Sequence, residues 1–536
     1  MPVVTLYANR LEKMLKRDMK SIIEMLPYIA LDIEEEGEDY VKVEYNPNRP
    51  DFSSDYGIVR ALKGLMDIED GIADYKQRKS NLKIKVSKGL KIRPYIVSLL
   101  AKDGSLDEES IRQIISMQED LHNGLGRRRK KISIGIHDYD KIKSPLIYTT
   151  AEPDTRFIPL GESREFRLDE IIKQHELGKR YGDIIPNTYP VIKDAKDSII
   201  SFPPIINSSL TQVSSTTKNL LVEITAIDLK RAEDALSILA ITLHDAGFKI
   251  ESVEIDYANK KIVTPNMSNR VMNVDLSYIR DIIGLELSEK EVIKALRRSR
   301  LDATIKNGKV RCMIPRYRFD IISDVDIAEE AAIGYGIYNL EPSYPLHKSS
   351  GNRDIKLKFI DNAREVMIGL GAIECINFDL ISKELLHTIG LEYKYSVEHS
   401  KSNEHEILRP SIIPSLLQTL SINVHEPYPQ IIFEIGKVFE DQEEYRLACI
   451  IASSDSNYNK IKSYLQAFLR GLRGIDAKTI SSRHPLLKEG ATASIIINER
   501  LGVIGEVKSD IVEAFKVRTN LSLFEISLDK LYHLSK

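Results

Sequence analysis

The feature that most constrains this chain is an acidic helix start that follows the sequence Pro-Arg-Tyr-Arg-Phe-Asp at residues 315–320. The spacing of the acids predicts that three of them share one face of a helix near its first turn, while a fourth precedes them on a strand-like segment. Mg²⁺ prefers carboxylate and water oxygens, so this set suits it better than zinc or copper. The four residues are Asp320, Asp326, Glu329 and Glu330.

The same acids also fit an ordinary helix N-terminus. Ser323 is placed to act as the N-cap residue, and Asp326 as the acidic third residue of a capping box. Acidic side chains in a first turn also offset the helix dipole. From the residues alone, a cation site and a helix cap remain alternatives.

Length and composition indicate a multidomain globular protein. A chain of 536 residues should form three or four domains, each with its own core. The hydrophobic content of 42% and the charged content of 29% are ordinary for such proteins, so no fibrous or disordered class is indicated. The net charge of −3 excludes a globally basic nucleic-acid binder, and any RNA contact must come from a local patch.

Cysteine usage and the first residues of the chain predict a reducing, cytoplasmic location. Cys312, Cys375 and Cys449 are far apart and form no CxxC pair, which argues against a disulfide framework or a structural zinc site. Charged residues follow the N-terminal Met almost at once, so no signal peptide is predicted. The longest apolar stretch, around residues 238–241, is too short to span a bilayer.

The pattern of predicted helices and strands divides the chain into domains of an α+β class. Two helices and a hairpin in the third domain indicate a winged-helix-like arrangement, and a polar, turn-rich linker around residues 344–352 precedes the last domain. The predicted domains are an N-terminal α/β domain at residues 1–85, a mixed α/β domain at 86–265, a small helical and hairpin domain at 268–342, and a last domain at 350–536.

Local signals predict where several elements begin and end. An amphipathic helix is expected at residues 11–25. Asp51 is placed to cap the helix that follows the rigid turn Asn-Pro-Asn-Arg-Pro-Asp at residues 46–51. The sequence at residues 288–291 forms a capping box, and Asn307-Gly308 is a type I′ hairpin signal.

The dense basic cluster of the chain is Arg127-Arg128-Arg129-Lys130-Lys131. A charge run of this length is usually a solvated loop. It is also the kind of local patch that RNA binding would require. Both interpretations stay open.

Separated segments resemble the β subunit of phenylalanyl-tRNA synthetases. The stretch at residues 315–336 resembles the metal-binding domain of that family. The turn at residues 46–51 and the Gly-Ile-Val-Arg-Ala-Leu helix at residues 57–62 form a second match. The resemblance covers nearly the whole chain and favours the shorter archaeal or eukaryotic type. It implies that Asp320, Asp326, Glu329 and Glu330 bind Mg²⁺. The ion is predicted to be structural, because no phosphate-binding motif lies beside the site.

The last domain resembles the class II synthetase-like module of the same subunit, at residues 408–417, 433–439 and 501–507. The resemblance implies the antiparallel fold of a catalytic domain without its chemistry. Arg409 is followed by Pro-Ser and so lacks the Arg-x-Glu pattern of an ATP-gripping motif, and no P-loop is present. The family relationship therefore implies an α₂β₂ assembly. A separate α subunit would use ATP to form phenylalanyl-tRNA, while this chain would provide scaffold and tRNA contacts.

The resemblance also implies that the mixed α/β domain hydrolyses tyrosine wrongly attached to the phenylalanine tRNA. A pocket shaped for Phe rejects the same ring with a hydroxyl by only about a hundredfold. A second site can select tyrosine if a carboxylate accepts a hydrogen bond from the phenol. The candidates are Glu223, Thr225 and Asn207. Alternatively, Glu223 and Thr225 only pair with neighbours on one strand face. The isolated His122 and His137 are predicted to be structural.

Two other functions remain consistent with the sequence. One is a free-standing aminoacyl-tRNA deacylase, and the other is a non-catalytic RNA-binding scaffold. The synthetase-like last domain argues against the first, because a lone deacylase would not need it.

Overall fold

The computed structural model describes residues 2–344 and 350–534 of the chain. Contacts between residues divide it into two units, residues 1–344 and 345–536. The division falls in the segment predicted as a linker, of which residues 345–349 lie outside the described residues. The finer domain boundaries stay predictions. All three cysteines are free thiols, and within the described ranges no helix is both long and apolar enough to cross a bilayer.

The first unit begins with a small sheet in the order β1-β3-β2, covered by helices. The helix predicted at residues 11–25 is in fact two helices, because Lys16 takes a left-handed conformation and Asp18 caps a new start. The elements are β1 (Val3–Tyr7), α1 (Ala8–Leu15), α2 (Met19–Met25), β2 (Leu31–Glu36), β3 (Tyr40–Tyr45) and α3 (Asp55–Leu65).

Asp51 does not cap α3, contrary to the sequence prediction. It lies in a short 3-10 turn, Pro50–Phe52, and the residue at the N-cap position of α3 is Ser54. The side chain of Asp51 is buried and accepts two hydrogen bonds from Arg49 instead. Local spacing could not distinguish a cap from a buried ion pair, and the turn places Asp51 three residues before the N-cap position.

A large mixed sheet follows, in the order β12-β11-β10-β7-β4-β14-β5-β13-β6, with β15 paired to β14. The boundary predicted at residue 85 falls inside β4, which pairs with β7 and β14 and so belongs to this sheet. The elements are β4 (Gln77–Val86), β5 (Tyr95–Lys102), α4 (Glu108–Asn123), β6 (Ile132–Asp138), β7 (Leu146–Thr150), β8 (Arg156–Phe157), β9 (Phe166–Arg167), α5 (Leu168–Gln174), α6 (Glu176–Tyr181), β10 (Pro190–Lys193), β11 (Ile199–Phe202), β12 (Ile206–Asn207), β13 (Leu220–Ala226), α7 (Leu229–Asp245), β14 (Lys249–Tyr257) and β15 (Lys260–Thr264).

The unit ends with a smaller sheet in the order β16-β18-β17, packed with three helices. The capping box at residues 288–291 is confirmed, and so is the hairpin, since Asn307 and Gly308 both have the positive φ that a type I′ turn needs. The segment of Asp320 is a turn rather than a strand, because β18 ends at Ile314. The elements are β16 (Arg270–Asp275), α8 (Leu276–Ile283), α9 (Glu289–Arg298), β17 (Asp302–Lys306), β18 (Lys309–Ile314) and α10 (Asp324–Tyr335).

The second unit is a sheet in the order β19-β22-β23-β27-β26-β25-β24, with a hydrophobic core on each side. Its pairs are antiparallel, as expected, except that β19 runs parallel to β22. The elements are α11 (Ile355–Gly369), β19 (Ile373–Glu374), β20 (Leu380–Ile381), α12 (Lys383–Ile389), β21 (Ile407–Leu408), α13 (Ile413–Ile422), β22 (Gln430–Phe439), β23 (Glu443–Ala452), α14 (Tyr458–Arg473), β24 (Lys478–Ser481), β25 (Leu487–Ile497), β26 (Glu499–Val507), α15 (Ser509–Ala514), β27 (Leu521–Ser527) and α16 (Leu528–His533).

Candidate functional site

A cavity of about 380 Å³ lies beside β6, the last strand of the large sheet. Its volume is within the range of small-molecule sites, roughly 300–1,000 Å³. One wall is apolar and comes from α4 and β6, while polar side chains come from the segment that includes β11 and β12. The apolar wall contains Ile111, Ile114, Ile115, Ile134 and Ile136, and the polar wall contains Ser201, Asn207, Ser208 and Thr211.

The register of β11 and β12 brings two polar side chains of this wall together. Ser201 is directly opposite Asn207 in the antiparallel pair, so both side chains project from the same face. The hydroxyl oxygen of Ser201 lies 3.1 Å from Oδ1 of Asn207 and 3.0 Å from Oε1 of Glu223. A serine hydroxyl carries one proton, and it can therefore switch its donated hydrogen bond between the amide and the carboxylate.

Glu223 lies in the interior of the sheet, on β13 between β5 and β6, and its side chain is 2% exposed. Its cross-strand neighbour on β6 is Gly135. A Cβ atom at residue 135 would lie 2.4 Å from Oε1 of Glu223 and 2.8 Å from Nε2 of His137. Glycine at this position therefore makes room for the carboxylate and the imidazole to approach each other.

Glu223 and His137 carry buried polar atoms that are not satisfied by the protein. Nδ1 of His137 is 2.8 Å from the hydroxyl of Thr211, and Nε2 is 3.8 Å from Oε1 of Glu223. Nε2 of His137 and Oε2 of Glu223 have no hydrogen-bond partner among the described residues. Buried polar atoms are nearly always hydrogen-bonded, so these two atoms can accept or donate to a polar group of a ligand.

Thr225 shares a strand face with Glu223, and like Glu223 it does not line the cavity directly. Its hydroxyl oxygen and its carbonyl oxygen accept hydrogen bonds from Arg93, at 3.4 and 2.8 Å. The Arg93 side chain is fully buried, and this burial lowers its pKa to about 10. Thr225 therefore orients a buried cation whose charge acts on Glu223.

An ion pair of Glu119 and Arg129 borders the same cavity. Arg129 also donates hydrogen bonds to the carbonyl oxygens of Pro204 and Ile205, at 3.2 and 3.0 Å. The hydrogen bond with His122 and the charge of Arg129 lower the pKa of Glu119 to about 2. Arg129 thus ties the turn between β11 and β12 to α4, and His122 is a buried structural residue, as predicted.

Three of the four acids of the predicted metal site have other partners. Arg318 forms ion pairs with Asp320 and with Glu330, and all three side chains are largely buried. Asp326 completes a capping box with Ser323 and accepts hydrogen bonds from two backbone N–H groups at the start of α10. Burial opposes ionisation of Asp326, but these hydrogen bonds outweigh it and lower the pKa.

The remaining acid, Glu329, has a raised pKa because its carboxylate is partly desolvated and near those of Glu330 and Asp326. The three carboxylates are thus close enough to repel one another. In residues 2–344 and 350–534, however, no group of three or more His, Cys, Asp or Glu side chains is arranged to hold a metal ion. With Arg318 between two of the four carboxylates, the donors as arranged here do not fit a metal site.

The two sequence motifs of the first unit contact each other at Arg60 of α3. The guanidinium of Arg60 lies over the ring of Tyr317, 4.4 Å from its centroid, and pairs with Asp245 at 2.8 Å. Its other side approaches Asp51 to 4.0 Å. A Cβ atom at residue 57 would lie 1.7 Å from the carbonyl oxygen of Asp51, so glycine is required where α3 packs on the turn.

In the second unit, Arg409 is enclosed by protein partners. Its guanidinium pairs with Glu434 at 2.7 Å and with Asp379 at 3.0 Å, and Nε donates to the carbonyl oxygen of Lys437. The side chain is almost fully buried. Arg409 is therefore not placed to bind a phosphate, as its sequence context indicates.

Sequence reasoning missed Ser201 and Gly135, and it interpreted His137 as a structural residue. His137 and Gly135 are two residues apart on β6, so they face the same side of the sheet as Glu223 on the neighbouring strand β13. This alternation is the sequence signal that could have indicated them. Which strand lies beside β13 depends on long-range pairing, so the alignment was not readable along the chain.

Known protein families and relatives match nearly the whole length of this chain. Family models match at residues 86–242 (B3/4 domain), 272–337 (tRNA synthetase B5 domain) and 340–528 (phenylalanyl tRNA synthetase beta chain CLM domain). The phenylalanine–tRNA ligase beta subunit of Archaeoglobus fulgidus is 38% identical over 99% of each chain. That of Methanocaldococcus jannaschii is 35% identical over 99% of this chain and 100% of its own.

A solved structure is also similar. It is an N-terminal fragment of the phenylalanyl-tRNA synthetase beta subunit from Pyrococcus horikoshii, with 36% identity and a TM-score of 0.60 over 62% of this chain and 100% of the fragment. Together with the full-length relatives, it establishes that the chain belongs to the phenylalanine–tRNA ligase β subunit family.

Proposed function

We propose that the cavity beside β6 hydrolyses tyrosine esters of the phenylalanine tRNA, within a ligase that this chain forms with a companion subunit. The observation that carries the proposal is the buried pair of Glu223 and His137. Each has a polar atom that is unsatisfied among the described residues, and the two residues are hydrogen-bonded to Ser201 and Thr211 of the cavity wall. The match of residues 86–242 to the B3/4 domain model supports it.

Selection of tyrosine depends on its hydroxyl. The isoleucine wall accepts an aromatic ring, and a phenol is a good donor to a carboxylate. When the tyrosine hydroxyl donates to Glu223, the hydroxyl of Ser201 turns to Oδ1 of Asn207, which is already 3.1 Å away. Phenylalanine offers no donor to Glu223, and its ester is therefore held less well.

Hydrolysis adds one water across the ester. The water oxygen bonds to the carbonyl carbon, the bond to the ribose oxygen breaks, and that oxygen takes a proton. Asn207 borders the cavity, where its amide can orient the water or the ester carbonyl. Thr225 acts indirectly, because it accepts hydrogen bonds from Arg93, whose cationic side chain interacts electrostatically with Glu223.

Glu223→Gln is expected to lower kcat/KM for hydrolysis of tyrosyl-tRNA by roughly 10- to 150-fold. This range corresponds to loss of a hydrogen bond to a charged group, about 1.5–3 kcal/mol. Hydrolysis of phenylalanyl-tRNA should change much less, because that ester makes no such bond. The measurement is release of tRNA from both esters, with Glu251→Gln, a paired glutamate on β14, as the matched control. Equal rates for wild type and Glu223→Gln would remove the site assignment.

The companion subunit is expected to bind near β19, at the edge of the second unit's sheet. Ile376 is 92% exposed and Phe378 is 75% exposed, just after this strand, and Ile373 on the strand is also exposed. Exposed apolar residues at a sheet edge are typical of interaction surfaces. The relatives are named beta subunits, so the occupant that we propose is the α subunit of an α₂β₂ assembly.

Ile376→Asp with Phe378→Asp is expected to reduce co-purification of the separately produced α subunit by tenfold or more, about 1.4 kcal/mol of binding. The matched control is Ile480→Asp, an exposed isoleucine on β24 at the opposite edge.

The chain alone should not exchange pyrophosphate into ATP with phenylalanine, and the assembled protein should. Exchange by the isolated chain would contradict this division of labour.

The magnesium site at Asp320, Asp326, Glu329 and Glu330 stays a prediction from the resemblance, as does a cytoplasmic location. If Mg²⁺ binds, it supplies a cation to carboxylates that Arg318 and the start of α10 otherwise satisfy. No chemical step of the proposed hydrolysis depends on it.

A further inference from the structure

The basic cluster at residues 127–131 has a strained backbone. Arg127, Arg128 and Arg129 have φ values of 46°, 55° and 63°, so three consecutive non-glycine residues are left-handed. Single left-handed residues are common in turns, but runs of them are unfavourable for residues that have a Cβ. Strain of this kind persists where the surrounding structure imposes it, and it occurs preferentially at functional sites.

The surrounding structure does fix this turn, at the end of α4. Gly126 donates to the carbonyl oxygen of Leu121 at 2.8 Å, and Arg129 donates to that of His122 at 3.2 Å. A Cβ atom at residue 126 would lie 2.4 Å from the carbonyl oxygen of His122, so the turn packs directly on the helix end. Arg93 also fixes the turn, because its guanidinium donates a hydrogen bond to the carbonyl oxygen of Arg129.

The cations of the turn are divided between the inside and the outside. Arg129 faces the cavity, pairs with Glu119 and stacks on Tyr181. Arg127, Arg128 and Lys130 are exposed, and in the described part of the chain none of them forms an ion pair. Cations near a helix C-terminus gain only a small dipole interaction, which does not explain a strained run of three residues.

We propose that Arg127, Arg128 and Lys130 bind the phosphates that precede the 3′-terminal nucleotide of the tRNA, and so guide the aminoacyl end into the cavity beside β6. The inference rests on the proposed hydrolysis and adds the surface that recognises its polynucleotide substrate. A chain with a net charge of −3 needs a local basic patch to hold such a substrate, and this patch adjoins the cavity through Arg129.

The first test measures binding of an RNA minihelix with a single-stranded CCA end to the assembled protein. Fluorescence anisotropy of the labelled RNA reports the Kd. Arg127→Gln with Arg128→Gln is expected to raise Kd about tenfold in moderate salt. It should also reduce the slope of log Kd against log salt by about 1.4, since each lost phosphate contact on a single strand contributes about 0.7. Arg127→Lys with Arg128→Lys should bind almost as wild type, because a lysine also satisfies a phosphate.

Lys260→Gln is the matched control, since it removes an exposed positive charge far from the cavity. Lys260 lies on β15, whose partner β14 is three strands away from β6 in the sheet. Arg128→Gly separates strain from charge. Glycine adopts a positive φ freely, so this variant should melt at a higher temperature and still bind RNA less tightly. Unchanged Kd and salt slope in the double Gln variant, or losses no larger than those of Lys260→Gln, would overturn the proposal.

The second test is hydrolysis of tyrosyl-tRNA. The double Gln variant should raise KM about tenfold and change kcat less than twofold, whereas Glu223→Gln should bind the minihelix as wild type. If wild type does not hydrolyse the ester, the proposed hydrolysis fails, but the binding experiment still decides whether this turn holds the RNA end. A loss of kcat without a change in KM or Kd would contradict a role in substrate binding.

Discussion

Arg318→Met is expected to lower the free energy of unfolding of the unit at residues 1–344 by about 3–5 kcal/mol. The substitution leaves two carboxylates without their cation, and the side chains of Asp320 and Glu330 are only 9% and 7% exposed. Removal of one partner from a buried ion pair is costly because the remaining charge stays desolvated.

Calorimetry of the full chain, with hydrogen exchange of the α10 amides to identify the unit that unfolds, measures this effect. Lys76→Met is the control, because Lys76 and Asp74 form a surface pair with 81% and 79% exposed side chains. Lys76→Met should lower the free energy of unfolding by no more than about 1 kcal/mol. A loss for Arg318→Met as small as that of the control would show that the two carboxylates are satisfied by another cation.

Melting in Mg²⁺ and in a chelator tests the metal prediction in the same experiment. If the site forms, Mg²⁺ should raise the melting temperature of wild type but not that of Asp326→Ala with Glu330→Ala, because a ligand stabilises only the state that binds it. Equal shifts in both proteins would mean that these residues bind no magnesium.

Gly57→Ala is expected to destabilise the same unit by about 3 kcal/mol, at the upper end of the range for overpacking. In an exposed helix this change would be favourable, because alanine has the higher helix propensity. Here the new Cβ would lie 1.7 Å from the carbonyl oxygen of Asp51, a backbone atom that cannot rotate away. The helix must separate from the turn at residues 50–52, and Arg60 then loses its position between Asp51 and Tyr317.

Chemical denaturation of the full chain measures this second effect, with Gly369→Ala as the matched control. Gly369 is also helical, in α11, and an added Cβ there would meet no atom within 4 Å. That variant should be neutral or more stable by up to about 1 kcal/mol. A neutral Gly57→Ala would mean that the close approach of α3 to the turn is not required for folding.

Local patterns predicted the parts of the fold that depend on neighbours in sequence. The capping box at residues 288–291 and the hairpin at residues 307–308 formed as expected, and the capping box at residues 323–326, one of two alternatives there, is present. The same kind of reasoning failed at Asp51, where an acid near a helix start joined an ion pair instead of a cap. A cap and a buried pair use the same residue types, so composition at that position does not distinguish them.

The candidate hydrolytic site was predictable only in part. Glu223 and Asn207 could be chosen from the resemblance, but their connection through Ser201 depends on the hydrogen bonds between strands. The approach of His137 to Glu223 depends on which strand lies beside β13, and on glycine at residue 135. Strand neighbours are set by long-range pairing, which the order of residues alone does not specify.

Residue types and local spacing predicted an α+β fold, most of its caps and turns, and the family to which the chain is related, because these depend on near neighbours in sequence. The tertiary fold determines what the acids at residues 320–330 contact, since it places Arg318 between Asp320 and Glu330. It also decided that the turns at residues 46–51 and 315–320 meet at Arg60. Contacts between distant segments depend on packing, and a buried charge takes whichever partner the packing brings within reach.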